Sequence, residues 1–229
     1  MIRRIQLAPI VLALGLVTGS AHAALQGRDL NGSAGSFEAY YDTDLDITWL
    51  ADANVNGAMT WDAANTWAAN LSITDAVNNL TYNNWRLPTV VDTGTPGCDY
   101  AYTGTDCGHN VDTATGEMAH LFYDELGNKT YYDTSGNSPQ SGWGLTNTGP
   151  FTKLQAHNYW SATEYAPDTN YAWYFDMYSG YQSAGTKNNN GMYALAVSPG
   201  DVAAVPEAET YGLMLAGLGL IGWRARRRG

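Results

Sequence analysis

Short apolar segments accompanied by arginines occur at both ends of the chain, and they restrict the folding unit to the residues between them. Near the start, Arg3 and Arg4 precede an apolar run at residues 7–17, and a small-x-small sequence follows at residues 21–23. This order is typical of a cleaved secretory signal peptide. The apolar run is also too short to span a bilayer core comfortably, which disfavours the alternative of a permanent N-terminal anchor. The sequence therefore predicts a signal peptide at residues 1–23 and export of the rest of the chain.

The C-terminal end has a second and more distinctive order of features. Pro206 and Glu207 precede an apolar segment at residues 211–223. Four basic residues then follow it: Arg224, Arg226, Arg227 and Arg228. As a helix the apolar segment would rise roughly 20 Å, which is short of a hydrocarbon core of about 30 Å. The arginines favour the cytoplasmic side, so the preceding domain would lie outside. A transient anchor fits this pattern better than a permanent single-pass tail.

This C-terminal order resembles the PEP-CTERM sorting signal over residues 205–229, with Ala208 where the commonest form has a second proline. The resemblance implies that a membrane transpeptidase, the exosortase, cuts the exported chain near Pro206 and Glu207. It also implies transit through the inner membrane of a Gram-negative bacterium and delivery to the cell surface or the extracellular matrix. Such signals are expected in bacteria that make exopolysaccharide.

The middle of the chain is strongly acidic. Of 11 Lys and Arg residues, six lie at the two ends, and two of the 22 Asp and Glu residues lie beyond residue 204. Residues 24–204 therefore have a net charge of −15. A nucleic-acid-binding function is excluded, because neutralising phosphates requires Lys and Arg.

Residues 24–204 are predicted to form one α+β domain, because no long linker or repeat divides them. Apolar residues at helical spacing predict helices over residues 60–71 and 116–126, with Thr60 as the N-cap of the first. Short aromatic and β-branched runs predict strands at residues 37–41, 47–50, 159–163, 171–178 and 193–197. The first two strands would form a hairpin around an acidic turn. The helices do not alternate with the strands, which favours α+β over α/β.

Six segments, taken together, resemble the C-terminal domain of the bacterial collagen-like adhesin Lcl. They are Asp-Ile-Thr-Trp-Leu (46–50), Met-Thr-Trp-Asp-Ala-Ala (59–64), Asn-Trp-Arg-Leu-Pro-Thr (84–89), Glu-Met-Ala-His-Leu (117–121), Tyr-Trp-Ser-Ala-Thr-Glu (159–164) and Ala-Trp-Tyr-Phe-Asp (172–176). The same landmarks are similar to those of C-type-lectin-like and sulfatase-modifying-factor-like domains. The resemblance implies a lectin-like fold, which does not by itself imply lectin activity. The adhesin is associated with sulfated glycans, and the acidic charge of this domain departs from what such ligands favour.

The chain has two cysteines, Cys98 and Cys107, in a glycine-rich stretch. Export places them in an oxidising compartment, so the sequence predicts a local disulfide between them. A zinc site that adds His109 is the alternative, and it would lack a fourth ligand.

Three alternating carboxylates, Asp42, Asp44 and Asp46, occupy the predicted hairpin turn. Carboxylates that converge from a turn favour a hard cation, so these residues are a candidate Ca²⁺ site. The glycine and the final glutamate of an EF-hand loop are absent. A solvated acidic turn is the favoured alternative.

Aromatic and amide side chains near the late strands are candidate sugar-binding groups. Aromatic faces stack on sugar C–H surfaces, and amides bond sugar hydroxyls. The candidate ligand-binding residues are Trp143, Tyr165, Tyr171, Tyr181, Asn188 and Asn189, and Tyr174 and Tyr178 belong to the same aromatic group. The alternative is that these aromatics fill the core, which is the interpretation favoured for Trp160 and Trp173.

Arg86 and the histidines are predicted to have structural roles. Arg86 is flanked by apolar residues and would be costly unpaired, so an acidic partner such as Glu117 or Asp176 is expected. His120 is expected to be packed and hydrogen-bonded. A triad of His157, Ser161 and Asp176 can be drawn, but no Gly-x-Ser-x-Gly turn surrounds any serine.

These observations predict a non-catalytic exported protein of the cell surface or biofilm matrix that binds exopolysaccharide and needs no cofactor other than a conceivable Ca²⁺. A secreted hydrolase or modifying enzyme and a purely structural surface protein are the alternatives.

Overall fold

Antiparallel strands form most of the regular structure in the computed structural model, which describes residues 25–33, 35–94 and 106–202. In chain order the strands are β1 (Gln26–Arg28), β2 (Ala39–Asp42), β3 (Ile47–Leu50), β4 (Ile73–Asp75), β5 (Leu80–Tyr82), β6 (Gly108–His109), β7 (Asn158–Glu164), β8 (Tyr171–Asp176), β9 (Tyr181–Thr186) and β10 (Val197–Pro199). The helices are α1 (Trp61–Ala69) and α2 (Glu117–His120), and a π-helix (Leu121–Glu125) continues α2. The described part of the chain is therefore mostly β-sheet with few helices.

The first sheet has the order β1-β2-β3-β10 and joins the two ends of the domain. Strands β2 and β3 form the predicted hairpin, in which Asp42 pairs with Ile47 across the acidic turn. Strand β10 pairs with β3 from the far end of the sequence, with Val197 opposite Trp49. Strands β4 and β5 form a separate hairpin.

The second sheet has the order β6-β9-β8-β7. Strands β7 and β8 confirm two of the predicted late strands, whereas β9 was not predicted. The predicted strand at residues 193–197 was wrong, because β10 begins at Val197 and Tyr193 makes only an isolated bridge to Tyr159. Alternating apolar residues do not reveal which of them have a neighbouring strand to pair with.

The first predicted helix is confirmed as α1. The hydroxyl of Thr60 accepts a hydrogen bond from the backbone N–H of Ala63 at 3.4 Å, so Thr60 is the predicted N-cap. The second predicted helix is only partly α-helical. From Leu121 onward its hydrogen bonds are wider, as in the bond from the N–H of Leu126 to the carbonyl of Leu121 at 3.0 Å. Apolar spacing alone does not distinguish a π-helix from an α-helix over so short a segment.

Large aromatic side chains fill the core. The largest side chains that are less than 2 % exposed are Trp49, Trp160, Trp173, Tyr159, Phe122 and Phe175. The predicted core positions of Trp160 and Trp173 are thus confirmed.

Arg86 connects three parts of the fold. Its guanidinium donates two hydrogen bonds to the carboxylate of Glu117 in α2, each 2.7 Å long. Its backbone N–H and carbonyl both pair with Val197 of β10 at 2.8 Å. Glu117 also accepts a 2.7 Å bond from the backbone N–H of Thr89. The predicted structural role of Arg86 is confirmed, and Glu117 rather than Asp176 is its partner.

Both predicted terminal segments, residues 1–23 and 205–229, lie outside the described residues. Within the residues that are described, no helix has the length and the apolar character required to cross a membrane.

We expect Arg86→Gln to lower the free energy of unfolding by about 2–4 kcal/mol, because it leaves the mostly buried Glu117 carboxylate without its bidentate partner. The matched control is Lys153→Gln, which breaks an exposed ion pair with Asp52 and should cost no more than about 1 kcal/mol. Urea denaturation of both variants measures the difference. Equal losses in the two variants would contradict this account.

Candidate functional site

The six predicted ligand-binding residues do not form one site. In the second sheet Tyr181 pairs with Asp176 at one end of β8, and Tyr171 pairs with Thr186 at the other end. The two ends of β8 are five residues apart, which corresponds to roughly 17 Å along a strand. Trp143 lies near Tyr181, at the end where Tyr178 follows β8. The other four predicted residues, Tyr165, Tyr171, Asn188 and Asn189, lie in or beside the segments at the opposite end.

A continuous set of aromatic rings covers the first of these ends, and we call it the aromatic surface. It consists of His109, Tyr131, Tyr132, Trp143, Tyr178 and Tyr181. The ring of Trp143 lies 4.7 Å from Tyr131 and 5.2 Å from Tyr178, in edge-to-face contacts. The ring of His109 lies 4.9 Å from Tyr132 and 4.8 Å from Tyr181. These contacts connect two predicted residues, Trp143 and Tyr181, with rings from three other segments.

Tyr178 is the most accessible member of the aromatic surface, with 55 % of its area exposed. The other five members are half-buried. Sequence reasoning missed Tyr131, Tyr132 and the stacking role of His109. The adjacent tyrosines at positions 131 and 132, next to a polar loop, were the sequence feature that could have indicated this part of the surface.

Hydrogen bonds to the turn between β8 and β9 fix the segments that carry the aromatic surface. The Thr130 hydroxyl donates to the carbonyl of Ser179 at 2.8 Å, and the N–H of Tyr131 donates to the same carbonyl at 2.8 Å. Nδ1 of His109 lies 2.6 Å from the Thr130 oxygen. This contact ties the imidazole of His109 to the same turn.

Burial keeps one ionisable ring of the aromatic surface and one ring next to it uncharged. It lowers the pKa of His109 below its ordinary value of 6.5, although the charge of Asp176 and nearby backbone carbonyls oppose the shift. The imidazole is therefore neutral at pH 7 and packs as an uncharged ring. Beneath it, burial raises the pKa of Tyr123 to about 12. The Tyr123 hydroxyl stays protonated and donates to the carbonyl of Gly180 at 2.6 Å.

A polar pocket of 460 Å³ lies at the other end of the sheet. Its lining residues come from α1, the β7–β8 loop and the end of β9: Thr60, Asp62, Thr169, Asn170, Thr186, Lys187 and Asn188. The ammonium group of Lys187 sits 4.2 Å from the ring centre of Trp61 and also pairs with Glu164. Of the four predicted residues at this end, Asn188 lines the pocket.

The remaining predicted residues at this end contact the protein itself. Tyr165 packs its ring 5.4 Å from buried Trp173. The side-chain oxygen of Asn189 accepts a 2.8 Å bond from the backbone of Gly191. The backbone N–H of Tyr171 donates to the carbonyl of Asp168 at 2.9 Å. No contact in the structure tests their binding to a ligand, so their assignment stays a prediction.

The three aspartates of the predicted calcium site have different surroundings. Asp42 is fully buried, and its carboxylate accepts bonds from the N–H groups of Asp44 and Leu45 at 3.1 Å each. Asp44 and Asp46 are exposed, and Asp46 accepts a bond from the Tyr41 hydroxyl at 2.8 Å. Calcium binding here stays a prediction.

Cys107 is buried, with its sulfur 3.4 Å from the carbonyl oxygen of Gln182. Its predicted partner, Cys98, lies outside the described residues, so the disulfide stays a prediction.

The residues of the candidate triad do not lie together in one segment. His157 immediately precedes β7, Ser161 lies within it, and Asp176 ends β8. Ser161 is buried, and its hydroxyl oxygen accepts a 3.2 Å bond from the N–H of Thr163. His157 stacks on Tyr193 with ring centres 5.0 Å apart. Four residues of extended chain separate His157 from Ser161 by roughly 13 Å, far beyond hydrogen-bond range.

We expect Gly180→Ala to disturb the support of the aromatic surface. Gly180 has a φ of +67°, and an added Cβ would lie 2.9 Å from both Phe122 and Thr130. Left-handed strain and overpacking should together lower the free energy of unfolding by about 2–4 kcal/mol. The matched control is Gly142→Ala, where φ is +77° and no atom lies within 4 Å, so that only about 1 kcal/mol is expected. Thermal denaturation that ranks the two variants in the opposite order would refute the packing argument.

Comparison with known proteins identifies the C-terminal segment. Residues 204–228 match the PEP-CTERM protein-sorting motif. No curated protein and no solved structure matches the chain. The motif match covers the predicted Pro206, Glu207, Arg226, Arg227 and Arg228, and it indicates a secreted, surface-directed protein that an exosortase processes.

Proposed function

We propose that this chain is a non-catalytic surface or matrix protein that binds exopolysaccharide through its aromatic surface. The observation that supports this most is the connected set of rings around Trp143, in which Tyr178 is 55 % exposed. Exposed and rigidly packed aromatics mark binding surfaces, and their apolar faces match the C–H faces of sugar rings. The sorting motif supplies the location, since it directs the chain to the surface.

The charge of the domain favours a neutral polysaccharide over a sulfated one. Residues 24–204 have a net charge of −15, and His109 is neutral because burial lowers its pKa. A sulfated glycan would be repelled by such a field. The ligand is thus proposed to differ from that of the adhesin whose C-terminal domain this sequence resembles.

The proposal includes a compact α+β domain of the Lcl C-terminal kind on a lectin-like scaffold. The sequence segments that resemble this family include Arg86 and Glu117, which form the bidentate pair between the Trp-Arg-Leu-Pro stretch and α2. The polar pocket beside Trp61 offers hydroxyl, amide and ammonium groups to a second stretch of the polymer.

Binding without catalysis is the proposed mode of action. The roughly 13 Å of extended chain between His157 and Ser161 disfavours the conceivable triad. Retention on a matrix polymer needs only stacking and hydrogen bonds, and the two ends of the second sheet provide both.

We expect Tyr178→Ala to weaken binding of the purified full-length chain to neutral exopolysaccharide of its host by about tenfold, or about 1.4 kcal/mol, because an exposed stacking ring is lost. The matched control is Phe37→Ala, which removes a 46 % exposed ring that lies outside the second sheet and should stay within twofold of the unaltered chain. Affinity electrophoresis in gels that contain the polysaccharide measures both.

Two results would contradict the proposal. One is equal binding by the Tyr178 variant and the unaltered chain. The other is turnover of a model glycoside or ester by the purified chain, which would favour the enzyme alternative.

We expect replacement of Arg226, Arg227 and Arg228 by alanine to reduce C-terminal processing and surface retention. The positive cluster fixes the orientation of the short apolar segment, and the segment alone is marginal as an anchor. Immunoblotting of membrane, surface and medium fractions from the host measures the effect. Unchanged processing and retention in the variant would count against a role for this cluster in sorting.

A further inference from the structure

A buried group of ionisable side chains joins the end of β2 to the π-helix. The Nε2 atom of His120 lies 3.2 Å from a carboxylate oxygen of Glu125 and 3.6 Å from one of Asp42. One nitrogen and two carboxylate oxygens thus lie within 4.8 Å of one another. The separation of 3.6 Å is too long for a hydrogen bond.

The group is buried and has an excess of negative charge. The side chains of Asp42, Glu125 and His120 are 0 %, 2 % and 9 % exposed. Ion pairs of the described Lys and Arg residues lie elsewhere in the fold, as with Arg28 and Arg86. A protonated His120 or a bound metal ion would neutralise this excess of negative charge.

The π-helix brings Glu125 to this group. His120 immediately precedes the π-helical residues Leu121–Glu125. In an α-helix, the side chains of residues i and i+5 point in directions that differ by more than a third of a turn around the helix axis. The wider π-helical turn returns position i+5 to the same face, and single π-helical turns occur frequently at functional sites.

Surrounding groups hold two of the three side chains, His120 and Asp42, in orientation. The Nδ1 atom of His120 lies 3.2 Å from the carboxylate of Asp124. The indole N–H of Trp49 donates to Asp42 at 3.2 Å. A carboxylate on the remote nitrogen of a histidine is the usual outer partner of a metal-bound imidazole, because it fixes the ring and raises its basicity.

We propose that Asp42, His120 and Glu125 bind one divalent transition-metal ion, with Zn²⁺ as the preferred ion. Ligands at about 2.0–2.2 Å in a tetrahedral zinc site are separated by about 3.3–3.6 Å, which is close to the two separations measured from Nε2. One imidazole and two carboxylates suit zinc or manganese better than calcium, which takes oxygen ligands. The site differs from the predicted calcium turn, with which it shares only Asp42.

The ion would act structurally. It would join the β2–β3 hairpin to the helical segment that follows Glu117, two parts of the chain that are far apart in sequence. A ligand that binds only the folded state stabilises it, and the gain in free energy of unfolding grows with the logarithm of the ligand concentration over its dissociation constant.

The test uses the full-length chain, freed of metal with a chelator. We expect elemental analysis after dialysis against Zn²⁺ to give one ion per chain, and Co²⁺ in its place to give the visible absorption of a low-coordinate site. Loss of a direct ligand in Glu125→Gln should weaken zinc binding by about 100-fold or more, and Asp124→Asn by about tenfold. The matched control, Glu164→Gln, removes an exposed carboxylate and should leave zinc binding unchanged.

Folding is monitored by circular dichroism. Glu125→Gln removes a buried charge without changing the shape of the side chain. The metal-free Glu125→Gln variant is therefore expected to fold. The proposal would be overturned by absence of zinc binding at micromolar concentration, which would leave a protonated hydrogen-bonded network. Zinc binding of equal strength in Glu125→Gln and Glu164→Gln would also overturn it, as would a site filled by Ca²⁺ and not by Zn²⁺.

Discussion

The bidentate pair between Arg86 and Glu117 is the interaction on which the rest of the fold depends. It fixes α2 against the Trp-Arg-Leu-Pro segment, whose backbone pairs with β10 at Val197. Strand β10 in turn completes the first sheet beside β3. In a domain with few basic residues, this guanidinium neutralises a mostly buried carboxylate that no other described cation approaches. Removal of either partner would leave the other partly buried and unpaired.

The two proposed binding regions lie at the ends of elements that this pair holds in place. The helical segment that starts at Glu117 continues through His120 and the π-helix to the proposed metal ligand Glu125. The same π-helix presents Tyr123, whose hydroxyl bonds the carbonyl of Gly180 in the turn below the aromatic surface. The position of the aromatic surface therefore depends on the register of this helix as well as on the second sheet.

Local patterns in the sequence predicted the features whose causes are local. The β2–β3 hairpin and helix α1 with its cap at Thr60 both follow from neighbouring residues. The apolar neighbours of Arg86 indicated that it needs an acidic partner, but the choice of Glu117 depends on the fold, because the two residues are 31 positions apart. The π-helix and the aromatic surface could not be predicted, because they depend on contacts between segments far apart in sequence. The rings of Trp143 and Tyr178 come into contact only in the folded chain. The six predicted binding residues lie at two separate ends of the second sheet, and this could not be predicted for the same reason. The sequence of a strand does not show which segments lie beside each of its ends.

The aromatic surface, and not the polar pocket, is proposed to make the main contact with polysaccharide. Nuclear magnetic resonance of the tryptophan indole N–H groups tests it most directly, because each ring reports from a different place. During titration with neutral oligosaccharides from the host matrix, the signal of Trp143 should shift, while those of buried Trp49 and Trp160 should not. A saturating ligand that leaves the Trp143 signal unchanged, or that shifts the signal of Trp61 beside the polar pocket instead, would contradict the account.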